Sequence, residues 1–224
     1  MPVFVSWSGG KDSCLAGYRA AISNLKVSYL VNMITRDGKR SWTHGLTPRL
    51  LQMQARAIGI PLIQRRTTRA DYETEFNNIL AELRQQGITG GVFGDIDLEE
   101  HRNWVERVCH QAGITPHLPL WGQSQDEIMR QLIDSGFTAI IVAARADLFG
   151  KEILGKRVDR GFIQLLGELG KTKNITPCGE SGEYHTLVTD GPWFQQRIEI
   201  RRARKILREG HWFLEIVDAA LRDK

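Results

Sequence analysis

Short β-type runs and helical repeats take turns along the first two-thirds of the chain, and this alternation restricts the fold more than any other feature. Pro2 to Trp7 reads as a strand, and a helical pattern follows from Asp12 to about Leu25, where Leu15, Tyr18, Ile22 and Leu25 recur at the 3.6-residue period. Val27 to Thr35 is a second strand. Thr47-Pro48 then offers a helix cap and a first-turn proline, Leu51, Ala55 and Ile58 continue the face, and Gly59 closes it. Pro61 to Thr67 is a third strand. Asp71 to Gln86 is the clearest helix, with Tyr72, Phe76, Ile79, Leu80 and Leu83 as its apolar stripe and Gly87 at its end. Gly91 to Ile96 is the next strand. Asp97 with Glu100 resembles a capping box for a helix ended by Gly113, and Ser124 with Glu127 repeats that signal for a helix stopped by Gly136. Thr138 to Ala144 is nearly all apolar, the pattern of a strand buried on both faces.

So regular an alternation predicts an α/β fold: a doubly wound parallel sheet, covered by helices on both sides, with its strand-to-helix loops gathered at one ligand-binding edge. From Ala146 the rhythm changes. A polar, Gly-rich stretch leads to a short helix around Phe162 to Leu169 and then to a Gly/Glu cluster, Thr176 to Gly182. A β-hairpin follows, running from Arg197 to about Leu207, turning at Glu209-Gly210-His211 and returning from Trp212 to Val217. The expected division is therefore a parallel-sheet domain over residues 1–140 and a smaller mixed α+β part over residues 141–224. No linker rich in Pro, Ser or Gly separates them, so the two should pack together.

Composition narrows the class. A hydrophobic content of 42% excludes disorder, and no apolar run approaches the ~18 residues of a membrane span. The N-terminus lacks the features of a signal peptide, and three cysteines without close spacing imply no disulfide framework. A soluble, cytoplasmic protein is expected. The formal net charge is +4, and all of it falls between Arg197 and Glu209, where six basic residues (Arg197, Arg201, Arg202, Arg204, Lys205, Arg208) face two acidic ones. A solvated hairpin face explains this; a docking strip for an acidic macromolecule such as RNA is the sharper alternative.

Chemistry concentrates in two segments. Ser8-Gly9-Gly10-Lys11-Asp12-Ser13 lies between the first strand and the first helix. Two glycines let the backbone approach an anion closely, and the helix start adds unpaired N–H groups and a positive dipole end. Ser8 and Ser13 can donate hydrogen bonds, Lys11 adds charge, and Asp12 could hold magnesium or cap the helix. The spacing fits neither Gly-x-x-x-x-Gly-Lys-Ser/Thr nor Gly-x-Gly-x-x-Gly. In the second segment, Cys178 to Thr186, two glycines permit tight turns while Glu180 and Glu183 supply two carboxylates, suited to a cationic substrate or to general-base work. Read from residues alone, an acidic surface turn remains the alternative. Asp95, after a strand, could face nucleotide or metal, or merely form a turn. Arg102 could reach an acidic group, or lie on a solvated helix face. The six histidines show no metal-ligand spacing.

Ser-Gly-Gly-x-Asp-Ser at the first strand-helix junction resembles the PP-loop of the ATP pyrophosphatases. Together with Thr43-His44-Gly45, Gly94-Asp95-Ile96, Pro119-Leu120-Trp121-Gly122 and Cys178-Gly179-Glu180-Ser181-Gly182-Glu183-Tyr184-His185-Thr186, it is similar to the diphthine–ammonia ligase family, up to about Ile200. That resemblance implies a PP-loop fold of the adenine nucleotide alpha hydrolase-like type over residues 1–140, with a substrate-binding part over 141–224. It also implies an ATP-dependent ligase that adenylates a carboxylate, releases pyrophosphate and transfers ammonia. Ser8, Gly9, Gly10, Lys11, Asp12 and Ser13 would cradle the phosphates, with magnesium on Asp12 and with His44, Gly94 and Asp95 beside the nucleotide. Adenine would lie around Asn32 to Ile34. Lys11, Asp12, Glu180 and Glu183 would be catalytic. Arg102, Gly179, Glu180, Gly182, Glu183, Tyr184, His185 and Thr186 would bind substrate. Expected partners are ATP, ammonia and a carboxylate, with elongation factor two as its candidate carrier; RNA ranks second, a homodimer is admissible, and no membrane partner is expected.

The chain departs from the pattern in one place. Diphthamide-making members are expected to carry Gly-Glu-Phe-Glu-Thr where this chain has Gly-Glu-Tyr-His-Thr, so His185 stands for a carboxylate, in a variant subgroup that also occurs where diphthamide is not made. A chain without the fused C-terminal domains of the eukaryotic ligases is expected. An RNA-modifying enzyme of thiolation or lysidine type is the alternative activity, although no Cys-x-x-Cys pair supports thiolation. A non-catalytic adenine-nucleotide sensor is the alternative from outside enzymes.

Overall fold

Five parallel strands form the first sheet: β1 (Pro2–Ser6), β2 (Lys26–Thr35), β3 (Leu62–Thr67), β4 (Gly90–Val92) and β5 (Thr115–His117), in the order β3-β2-β1-β4-β5. This computed structural model describes residues 1–42 and 44–224; Thr43, the first residue of the Thr-His-Gly segment, lies outside the described residues. The strands are linked by α1 (Lys11–Ile22), α2 (Pro48–Ile58), α3 (Tyr72–Gln85) and α4 (Glu99–Gln111).

Residue alternation along β1 explains the layering. Val3 and Val5 join one buried cluster with Leu15 and Ala16 of α1 and Leu51 of α2. Phe4 points the other way, into a cluster with Phe76, Ile79 and Leu80 of α3 and Val105 and Val108 of α4. Each face buries apolar side chains worth about 1.5–3 kcal/mol apiece, and so each needs its helices. The strand order reverses between β1 and β4, and their following loops open a crevice there, the usual ligand position in such sheets.

Several local expectations hold. The Thr47 hydroxyl accepts from the Leu50 N–H, and Gly59 closes α2 at φ 83°. Others need correction. The Asp97 capping box does not form, because the Asp97 carboxylate is drawn across to the Gln125 side chain (2.6 Å) and Leu98 becomes the cap. Ser124 precedes α5 (Gln125–Asp134) without a side-chain cap bond. The strand expected from Gly91 to Ile96 ends at Val92, and beyond it Gly94 packs against the backbone of Asp12 and Ser13 at the start of α1. β5 carries Pro116, which argues against a central strand but is tolerated on a sheet edge.

The largest correction concerns Thr138 to Ala144. This segment forms β6 (Thr138–Arg145), which does not join the parallel sheet. It lies inside a second, antiparallel sheet with β7 (Tyr184–Asp190), β8 (Gln196–Arg208) and β9 (His211–Asp223), ordered β7-β6-β9-β8. A continuous apolar run reports burial on both faces, which an interior antiparallel strand also has. The expected division at residue 140 therefore cuts through β6. Between β6 and β7 runs α6 (Arg160–Gly170), capped by Asp159, which accepts from the Phe162 N–H at 2.9 Å.

The hairpin of β8 and β9 is longer than the Val217 limit suggested, and it turns at Glu209 (φ 50°) and Gly210 (φ 76°). Its basic residues do not form one strip. Two register shifts between Ile200 and Ala203 change which face they occupy, Glu199 pairs with Arg201 and Arg222, and Arg204 lies 3.9 Å from Glu215 of the return strand. Among the described residues, no helix is long and apolar enough to cross a membrane.

Candidate active site

The phosphate-type loop is clamped from beneath. Gly9 takes φ 82°, and a Cβ there would fall 2.5 Å from Gln54 Oε1 and Leu51 Cδ2. Gln54, fully buried on α2, donates to the carbonyls of Gly9 (2.8 Å) and Val188 (2.7 Å) and accepts from Trp7 Nε1 (3.1 Å). Val188 N–H also donates to Gly9 O (3.0 Å), so the loop lies along the outer edge of β7. Above it, α1 begins at Lys11 with Gly10 as a cap that supplies no side-chain bond, leaving the helix's positive end open to the crevice. The Ser8 and Ser13 hydroxyls are 3.0 Å apart. Gly94 is a packing glycine: a Cβ would sit 2.9 Å from the backbone of Asp12 and Ser13.

Lys11 ties the two sheets together. Its N–H donates to Thr186 Oγ1 (2.9 Å), and its ammonium group donates to Asp12 Oδ2 (2.8 Å) and to the Cys178 carbonyl. Burial is the largest single influence and works against that charge, but Asp12 together with Tyr184 and Cys178 overcomes it and holds Lys11 protonated above the ordinary lysine range. The other Asp12 oxygen, Oδ1, is buried and has no partner among the described residues. Such an acceptor fits a cation. No group of three or more His, Cys, Asp or Glu able to hold a metal occurs among the described residues, so Asp12 suits an ion that takes few protein ligands and completes its shell from phosphate, as magnesium does.

The second motif divides its two carboxylates. Gly179 (φ 75°) and Gly182 (φ 77°) bend the loop, and at Gly179 a Cβ would meet the Tyr184 carbonyl at 2.8 Å. Glu180 faces the crevice, where burial first, then the nearby charge of Asp12, pushes its carboxyl up to about 7. Glu183 does not line the crevice. It is fully buried, and its Oε1 accepts from the Thr176 N–H (2.6 Å), while Thr176 Oγ1 accepts from the Glu180 N–H (2.8 Å). Glu183 thus shapes the turn that presents Glu180. Tyr184, also buried, donates its hydroxyl to the Pro177 carbonyl, with its ring 5.4 Å from Lys11 Nζ. Cys178 is an unsuitable nucleophile, since burial pushes its thiol up to about 12.

His44 and His185 meet edge to face, their ring centroids 4.7 Å apart. Burial, aided by Lys11, depresses His44 to about 4, and burial, with His44 and Lys11, takes His185 to about 3. Both are therefore neutral imidazoles at physiological pH. His44 Nδ1 lies 3.1 Å from the Ser8 carbonyl, which can only accept, so Nδ1 carries the hydrogen and Nε2 presents a lone pair.

The crevice, about 490 Å³, thus gathers Ser8, Lys11, Asp12, Ser13, His44, Gly94, Asp95, Gly179, Glu180, Gly182, Tyr184, His185 and Thr186. Asp95 also pairs with His101 Nδ1 at 3.3 Å. Arg102 stays outside the crevice, bonded to Glu106 (2.7 Å) and 5.1 Å from the Trp121 ring. Three contributors carry no motif: Gln54 and Thr176, which support the two loops, and Asn32, which lines the crevice from β2 and donates to the Trp7 carbonyl at 2.7 Å. Gln54 and Asn32 carry one sequence signal, a polar residue inside an apolar helix or strand face, whereas Thr176 lies in a loop.

Residues 1–116 match the model of the diphthamide synthase N-terminal domain, and residues 124–221 that of its C-terminal domain. The diphthine–ammonia ligase of Homo sapiens is 28% identical, with 97% of this chain and 91% of that protein covered. That of Schizosaccharomyces pombe is 29% identical over 85% of this chain and 34% of its own length. A crystal structure of a predicted subunit of tRNA methyltransferase from Methanocaldococcus jannaschii superposes with a TM-score of 0.47 at 15% identity, covering 86% of this chain and 98% of that one.

Proposed function

The chain belongs to the diphthamide synthase family, and from that premise we propose that it is an ATP-dependent amide ligase of the diphthine–ammonia type. A substrate carboxylate attacks the α-phosphorus of ATP, the bond to the β-phosphate breaks, and pyrophosphate leaves. Ammonia then attacks the acyl carbon of the resulting adenylate and AMP departs. One observation carries this reading: a single crevice holds both the open end of α1 with its serine-glycine loop and the raised carboxyl of Glu180.

The loop binds the β- and γ-phosphates through backbone N–H groups and the Ser8 and Ser13 hydroxyls, while Lys11 adds a fixed positive charge. Magnesium, held by Asp12, would neutralise charge on the departing pyrophosphate. Glu180, poised near neutrality, takes the proton that the attacking nitrogen must lose. The carboxylate is carried by elongation factor two. In this reading the parallel-sheet part holds the nucleotide and the part built on the antiparallel sheet, β6 included, contributes the acceptor's side, in the cytoplasm. The neutral His185 leaves the balancing of a cationic substrate to Glu180 and Asp95.

The test is product analysis after incubation with ATP, magnesium, ammonium and modified elongation factor two. AMP, pyrophosphate and amidated product are expected, and Asp12→Ala should abolish pyrophosphate release. Formation of ADP and phosphate would overturn the mechanism.

A further inference from the structure

Five buried side-chain atoms lack a hydrogen-bond partner among the described residues: Asp12 Oδ1, Asn32 Oδ1, His117 Nε2, Glu183 Oε2 and Trp193 Nε1. Two of them, on Asp12 and Asn32, belong to residues lining the crevice. A bound cation accounts for the first. The second has no such explanation.

Asn32 is only 5% exposed. Its amide cannot be reversed, because Nδ2 donates to the Trp7 carbonyl at 2.7 Å and a carbonyl cannot donate in return. Oδ1 is therefore an acceptor of fixed direction. A phosphate oxygen, also an acceptor, would be repelled there. The phosphate loop follows β1, and Asn32 lies on β2, the neighbouring strand, where Val31 pairs with Ser6. A nucleotide anchored by its phosphates at α1 can reach across this edge with its sugar and base.

We propose that Asn32 Oδ1 accepts a hydrogen bond from the nucleoside half of the bound nucleotide, either a ribose hydroxyl or the exocyclic amine, making Asn32 a specificity-determining residue. The inference rests on the ATP reading and deepens it, assigning to one side chain a discrimination that backbone groups alone would not make. The cost of leaving this acceptor unmet falls on any ligand that lacks the donor, so a matching analogue should bind about 10- to 100-fold more weakly.

Calorimetric titration of the full chain with magnesium and four ligands tests this: ATP, purine riboside triphosphate, 2′-deoxy-ATP and 3′-deoxy-ATP. The purine analogue removes the amine and the other two remove one hydroxyl each. One analogue should be disfavoured by that factor, and Asn32→Ala should erase the difference. If Asn32→Ala fails to fold, Asn32→Leu, close to asparagine in volume and without the acceptor, should erase the difference as well. All three analogues binding within about threefold of ATP would overturn the proposal. So would a preference that survives in Asn32→Ala or in Asn32→Leu. Absence of any ATP binding would instead fall on the ATP reading, and the inference would go with it.

Discussion

Replacing Gln54 by leucine should cost more than its distance from the chemistry suggests. Leucine matches the volume closely but removes two donated bonds and one accepted bond. The Gly9 carbonyl keeps the Val188 N–H as a donor, whereas Trp7 Nε1 and the Val188 carbonyl lose the partner described for them. Each orphaned buried group costs about 1–3 kcal/mol, so the variant should lose about 2–6 kcal/mol of stability. For a chain of this length that is a fall in Tm on the order of 10 °C. Urea denaturation should show a lower midpoint at an unchanged m-value, which separates a stability loss from an altered unfolded state. ATP affinity should fall in the same variant, because Gly9 is held in its left-handed conformation by this side chain. A loss below about 1 kcal/mol would show that the clamp is not what supports the loop.

Three further outcomes are expected. Unfolded histidine takes up a proton below about 6.5, whereas His44 and His185 resist until about 4 and about 3, so the unfolded state binds more protons and stability should fall as pH drops below 6.5. Urea midpoints across pH 3–7 should flatten in His44→Asn/His185→Asn, and an identical slope would refute the assignment. For Glu180, kcat/KM should rise with pH through an apparent value near 7, and Glu180→Gln should remove that limb with a rate loss of about 10²–10⁴; a limb that persists would exclude Glu180 as the base. Gly94→Ala should weaken nucleotide binding by displacing the start of α1, whereas Gly167→Ala, with nothing within 4 Å, should bind normally and gain up to about 1 kcal/mol of stability; equal binding losses in the two would discredit the contact argument.

The parallel sheet was legible because its signals are local. Thr47 caps the helix it precedes, Gly59 ends it, and the stripe of Tyr72 to Leu83 needs only its own helix. Sheet membership is not local. The apolar run of β6 marks burial, and nothing within it says whether its neighbours run parallel or antiparallel. Pro116 concealed β5 for a similar reason, since its tolerance depends on lying at an edge. At the site, the serine-glycine loop was legible as a motif, but the spacing of Glu180 and Glu183 did not reveal that one faces the crevice and the other is buried. One left-handed glycine, Gly182, interrupts any fixed period between them. Gln54 was silent because its partners, two backbone carbonyls and the Trp7 indole, lie 45, 134 and 47 residues away, and Asn32 was pointed to only by resemblance, its own partner lying 25 residues away.

The register of β8 gives the basic excess a meaning of its own. β8 is the last strand of its sheet and thirteen residues long, so one row of its backbone N–H and C=O groups has no neighbouring strand. Such a row is a template on which another chain can add a strand and begin aggregation. Here an incoming strand would have to bury arginine and lysine side chains on both faces and follow two bulges that twist the edge out of line. The positive charge that looked like an invitation to an acidic partner thereby also acts as a barrier against copies of the same chain.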